Sequence, residues 1–306
     1  VALLSHGKSV DARSEAASAL WSLSTANTVT QQAIADAGAI PPLVRLLHEN
    51  SDDQSKREAA QRQAARALAT LAKDNATIQD SIASNEGIPP LVSLLGEDHE
   101  DEVHAMAAMA LAELARNHEA NQTAVAKAGG IEPFVRLLRA EQESERAKCE
   151  AASALWSFST RHFANQVAIA KAGGVAPLVS LLGYGGTYAQ EQAAGALASI
   201  ALDNPDNEGA IAEMVVGLLD DRGDDLETSA KAARAISRLA RSHPSNQVAL
   251  AKAGGIPPLV GMLGDPSEAA DGKRPSPARV LLQKEVASAL WSMAVDNPEN
   301  QAAIAD

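Results

Sequence analysis

Trp21, Trp156 and Trp291 are the only tryptophans in the chain, and successive ones lie 135 residues apart. Each sits in nearly the same segment: Glu15-Ala-Ala-Ser-Ala-Leu-Trp-Ser, Glu150-Ala-Ala-Ser-Ala-Leu-Trp-Ser and Glu285-Val-Ala-Ser-Ala-Leu-Trp-Ser. An aromatic wall beside a carboxylate is chemistry for holding a cation: the ring quadrupole attracts an ammonium or guanidinium, and the carboxylate pairs with it. The candidate partner-binding residues are therefore Glu15, Ser18, Trp21 and Ser22, then Glu150, Ser153, Trp156 and Ser157, then Glu285, Ser288, Trp291 and Ser292. A second reading stands beside this one, in which each tryptophan packs between adjacent helices. A further candidate is basic. Lys231, Arg234, Arg238 and Arg241 fall at helical spacing and suit a phosphate or an acidic segment, unless Asp220, Asp221, Asp224, Asp225 and Glu227 neutralise them into a solvated charged face.

Other motifs carry less chemistry. Cys149 is the single cysteine, which leaves no disulfide framework and no thiolate zinc site. His118, His162 and His243 recur as loop and cap residues without a second ligand at metal spacing. Gly183-Tyr-Gly-Gly186 has no following lysine and no strand context, so it is not read as a phosphate loop. Arg222-Gly-Asp224 is a chance-level tripeptide, and Lys273-Arg-Pro-Ser-Pro277 offers Ser276 to a proline-directed kinase. No nucleophile–base pair, metal set or cofactor motif emerges. The expectation is a non-enzymatic chain with no cofactor.

The elements that position these residues repeat. Leu3-Leu4, Leu46-Leu47, Leu94-Leu95, Leu137-Leu138, Leu181-Leu182, Leu218-Leu219 and Met262-Leu263 recur at intervals of 43, 48, 43, 44, 37 and 44. This predicts an all-α solenoid of seven repeats over 1–306, bounded near 1–37, 38–85, 86–128, 129–172, 173–209, 210–253 and 254–306. Within a repeat, Asn121 is expected to cap a short helix to Lys127, with Asn165, Asn207, Asn246 and Asn300 at matching positions. Gly129-Gly130 breaks it, Ile131-Glu-Pro133 opens a second helix, and a charged loop from Glu141 to Glu145 leads to a third. On the third helix of the first copy, Ala16, Ala19, Leu20 and Leu23 form the expected buried stripe, with Trp21 about 150° from its centre. The fifth copy lacks the glycine turn, so its first two helices are expected to fuse. The last carries a Pro-rich insertion from Gly264 to Ala278, read as a flexible loop. Both termini cut through a repeat, which points to a piece of a longer array whose ends could self-associate.

Composition bounds the partners. Aromatics are 3% of residues while alanine and aliphatics abound, as packed helices require. A net charge of −13 disfavours nucleic acid and favours basic peptide segments. No apolar run is long enough to span a bilayer, so membrane insertion is not expected. The cysteine usage fits a reducing compartment, the cytoplasm or the nucleus.

Asn246 to Leu263 (Asn-Gln-Val-Ala-Leu-Ala-Lys-Ala-Gly-Gly-Ile-Pro-Pro-Leu-Val-Gly-Met-Leu) and Glu15 to Leu23 closely resemble the armadillo repeat, and the resemblance extends over essentially the whole chain. It is similar to the β-catenin, importin-α, vacuolar and plant U-box arrays. The resemblance implies a right-handed superhelix of three-helix repeats whose third helices line a groove that holds extended peptides or partner segments. Two other roles follow from it: the substrate-recognition array of a larger enzyme such as a U-box ubiquitin ligase, and importin-like cargo binding. One departure weighs against the last. The position after the tryptophan, often asparagine in the family, holds Ser22, Thr70, Glu113, Ser157, Ser199, Arg238 and Ser292 here. The importin-type tryptophan position holds Ser18, Arg66, Met109, Ser153, Gly195, Arg234 and Ser288.

Overall fold

The computed structural model describes residues 1–7, 9–25, 27–220, 226–241, 244–264 and 275–305. Asp221, Arg222, Asp224, Asp225, His243 and most of the Pro-rich insertion lie outside them, as does the side chain of Asp220. Among the described residues all regular structure is helical, and the fold is an all-α solenoid. It forms two compact units, Val1–Ala172 and Gly173–Asp306.

The first unit runs α1 (Ala2–His6), α2 (Val10–Ser24), α3 (Thr28–Asp36), α4 (Ile40–Leu47), α5 (Gln54–Ala72), α6 (Ala76–Ser84), α7 (Ile88–Ser93), α8 (Asp101–Ala115), α9 (Glu119–Lys127), α10 (Ile131–Arg139), α11 (Glu145–Ser159) and α12 (Phe163–Lys171). The second runs α13 (Val175–Tyr184), α14 (Thr187–Ala201), α15 (Pro205–Asp220), α16 (Leu226–Ala240), α17 (Pro244–Lys252), α18 (Ile256–Met262), α19 (Pro277–Ala294) and α20 (Pro298–Ala305). The long third helices stack on one another: α2 on α5, α5 on α8 and α8 on α11 in the first unit, and α14 on α16 and α16 on α19 in the second. Helix α15 is a single 16-residue helix, the fusion expected where the glycine turn is missing.

Local sequence explains the repeat. At the Gly-Gly turn the two glycines do different jobs. Gly129 takes φ +78°, a region costly to residues with a Cβ. Gly130 has an ordinary φ, but a Cβ there would meet Val125 Cγ1 at 2.7 Å. The turn from a third helix into the next short helix also needs a left-handed residue: Asp74, Asn117, Arg161, Asp203 and Asp296 all have φ between 53° and 55°. The residue that follows is the N-cap, and Asn75, His118, His162 and Asn297 each accept from a backbone N–H three residues on. His118 and His162 are thus caps, as expected; the asparagines at the five matching positions are not.

The predicted buried stripe behaves differently in different copies. In α11 and α19 its equivalents, such as Leu155, Phe158, Leu290 and Met293, are buried. In α2 Ala19 is exposed and Leu23 is 57% exposed. The covering helix decides this. Phe158 packs on Phe134 of α10, ring centroids 5.2 Å apart, whereas α1 has five residues and no such partner for Leu23. The buried positions of α2 are Ser14, Ala17, Leu20 and Ser24, mostly small side chains that allow close approach of its neighbours.

Candidate functional site

Each glutamate of the repeated segment stands six residues before its tryptophan. On an α-helix that is roughly 120° around and about 9 Å along the axis, so the two are not neighbours on one helix face. The structure instead pairs Trp21 and Glu285 with cations from other helices. Arg66 of α5 lies over the Trp21 ring, its guanidinium carbon 3.3 Å from the centroid. Glu285 of α19 takes a 2.9 Å ion pair from Arg234 of α16. Glu150 of α11 is mostly buried; desolvation raises its pKa, countered by Arg146 and reinforced by Glu113. Glu15 is exposed.

The three tryptophans differ in access. Trp21 is partly covered, Trp156 is 38% exposed and Trp291 is 63% exposed. The serines around the later two face inward: Ser153, Ser157 and Ser292 are buried. Ser237 of α16 occupies the position that tryptophan holds in α11 and α19. Its hydroxyl lies 2.9 Å from that of Ser288 and 3.0 Å from that of Ser292, tying α16 to α19. Ser18 is half-buried and Ser22 exposed.

The basic stripe on α16 is neutralised within its unit. Lys231 pairs with Glu227 at 3.1 Å, Arg234 with Glu285, and Arg238 with Glu191 of α14 at 3.8 Å. Two of these carboxylates come from neighbouring third helices, which local sequence spacing could not indicate. Burial lowers the pKa of Arg238, with Glu191 opposing. Ser276 caps α19, its hydroxyl accepting from Arg279 N at 3.2 Å. Cys149 is buried and its thiol is pushed up to about 11 by desolvation, so thiolate chemistry is suppressed at neutral pH.

The buried asparagines have a role that the capping expectation missed. Asn121 lies inside α9, where its Nδ2 donates to Leu114 O at 2.9 Å, at the C-terminal end of α8. Asn165, Asn207, Asn246 and Asn300 donate in the same way to Phe158, Ile200, Leu239 and Met293 carbonyls, seven residues back each time. A glutamine works beside them. Gln122 Nε2 donates to Ser157 O of α11 at 2.8 Å, Gln79 to Glu113 O of α8 at 2.7 Å, Gln31 to Thr70 O of α5 at 2.9 Å, and Gln247 to Ser292 O of α19 at 2.9 Å. These carbonyls belong to the positions where asparagine is common in the family. The Asn-Gln dipeptides at 121–122 and 246–247 thus join the ends of two successive third helices through one short helix. The sequence signal was the dipeptide itself, which also occurs at 165–166 and 300–301, where Gln166 donates to Ser159 O and Gln301 to Ala294 O of the preceding third helix.

The armadillo/β-catenin-like repeat family profile matches residues 28–73, 118–160 and 163–202. No curated protein sequence matches the chain. Similar solved structures include an engineered protein at 27% identity and TM-score 0.61, with 95% of this chain and 94% of that chain covered. A designed armadillo repeat protein at 21% identity has the same fold, with TM-score 0.61 and coverage of 95% and 97%. A second designed armadillo repeat protein, solved in complex with the peptide (KR)4, is 26% identical with TM-score 0.55, covering 83% of this chain and 99% of its own. Residues 28–73, 118–160 and 163–202 are thus armadillo/β-catenin-like repeats, and the glycine turns and stacked third helices give the chain the fold of these armadillo structures.

Proposed function

We propose that the chain is a non-enzymatic interaction scaffold that binds extended peptide segments rich in Arg and Lys, with Trp156 and Trp291 as anchors. The observation that carries this reading is Arg66 over Trp21. There the protein supplies from its own sequence the contact that a ligand's cation would make on the other two indoles, which stand exposed on equivalent third-helix positions. The net charge of −13 favours a basic partner. The peptide in the similar designed protein alternates Lys and Arg. Calorimetric titration of an alternating Lys-Arg octapeptide and its Glu-Asp counterpart tests the reading. Saturable binding of the basic peptide alone supports it; equal or absent binding of both contradicts it.

A further inference from the structure

The loop before α11 meets the first turn of α8 at a buried group of unlike donors. His104 and Glu143 have side chains only 5% and 8% exposed, and His104 Nδ1 lies 3.0 Å from Glu143 Oε1. His104 Nε2 lies 2.8 Å from Gly96 O. Asp101 Oδ1 accepts from Ser144 N at 3.0 Å, and its carboxyl lies against that of Glu143. Glu143 Oε2 is sealed from solvent and has no hydrogen-bond partner. Two apposed carboxyls with no donor between them need a proton or a cation there, and an unbalanced buried carboxylate is costly.

One donor atom from each of Asp101, His104 and Glu143 lies within 4.8 Å of the other two. A tetrahedral zinc ion with bonds of about 2.0–2.1 Å holds its ligand atoms about 3.3 Å apart, close to the His104–Glu143 spacing. The outer ring nitrogen of His104 already rests on a backbone carbonyl, as metal-bound histidines commonly do, and Ser144 N fixes the Asp101 carboxylate. We propose that Asp101, His104 and Glu143 form a site for a zinc-type divalent transition ion, which clips the loop between α10 and α11 to the start of α8. One imidazole and two carboxylates are a borderline donor set, suited to Zn2+ or Co2+; Ca2+ and Mg2+ call for more oxygens or water. Binding releases the Nδ1 proton and any proton shared by the carboxyls, and leaves a fourth position for water.

The test uses the whole chain, stripped with chelator and titrated with Co2+ and then Zn2+. The site predicts a visible Co2+ absorption that saturates at one ion per chain and is displaced by Zn2+. It also predicts a melting temperature raised by about 5 °C at free Zn2+ a hundredfold above Kd. His104→Gln and Glu143→Gln, checked by circular dichroism, should lose both effects. If either fails to fold, Asp101→Asn at the less buried corner should weaken Co2+ binding at least tenfold. An unchanged melting temperature and no Co2+ band in the wild type would overturn the site. In that case His104 is only a metal-free hydrogen-bonded bridge between Glu143 and Gly96. Equal metal effects in the variants would overturn it as well.

Discussion

Trp156 and Trp291 expose their rings, while Ser153, Ser157 and Ser292, one turn away or adjacent, are buried in the helix stack. The tryptophans were legible from their 135-residue spacing; their partners were not. Glu285 is held by Arg234 and Trp21 by Arg66, and both cations come from neighbouring third helices that no local spacing reveals. Arg66→Ala should therefore uncover a third indole and strengthen basic-peptide binding severalfold in a fluorescence titration. Weaker binding would place Arg66 itself in the ligand contact. Glu150 gives a pH signature. Its folded pKa is raised by desolvation, so the native state keeps this proton to higher pH than the unfolded chain does. Its destabilising effect is absent below the unfolded value of about 4.3, grows as pH rises, and is complete above the folded value. Glu150→Gln should be more stable than wild type at pH 8 and equal to it at pH 3.5 in paired denaturant melts. A gain that is the same at both pH values would refute this.

At the scale of elements, the all-helical build and the glycine turns between helices followed from apolar spacing, glycines and prolines. What the spacing could not show was which backbone groups the buried polar side chains satisfy. Asn121 looked like a cap, yet His118 caps α9, and Asn121 instead closes the frayed carbonyl end of α8. Asn121→Ala and Gln122→Ala should each lower stability by about 1–3 kcal/mol, since each strands a buried carbonyl. Thermal denaturation reads the loss, and a change under 0.5 kcal/mol would deny the clamp its role. At the helix junctions Arg161 takes φ 55°, where the other four positions carry Asp or Asn. Asparagine tolerates that region better than arginine. Arg161→Asn should raise stability by roughly 0.5–1 kcal/mol, measured by the same melts.

For the molecule as a whole, composition pointed to packed helices, and buried alanines do line the third helices. Among the described residues no single helix is long and apolar enough to cross a membrane. The basic stripe on α16 adds little free positive charge, since Lys231, Arg234 and Arg238 meet Glu227, Glu285 and Glu191. A scaffold of net charge −13 should bind a basic segment faster and more tightly at low ionic strength, with affinity falling at least tenfold between 50 mM and 500 mM salt. The measurement that bears most directly on the central claim is a titration of a labelled alternating Lys-Arg peptide into wild type, Trp156→Ala and Trp291→Ala, with circular dichroism on each. Exposed side chains should leave stability within about 0.5 kcal/mol of wild type. The account predicts folded variants whose affinity drops severalfold to about thirtyfold, the range of a partly desolvated cation–π contact. Variants that bind as tightly as wild type, or that lose helicity along with binding, would contradict it and make the tryptophans part of the packing.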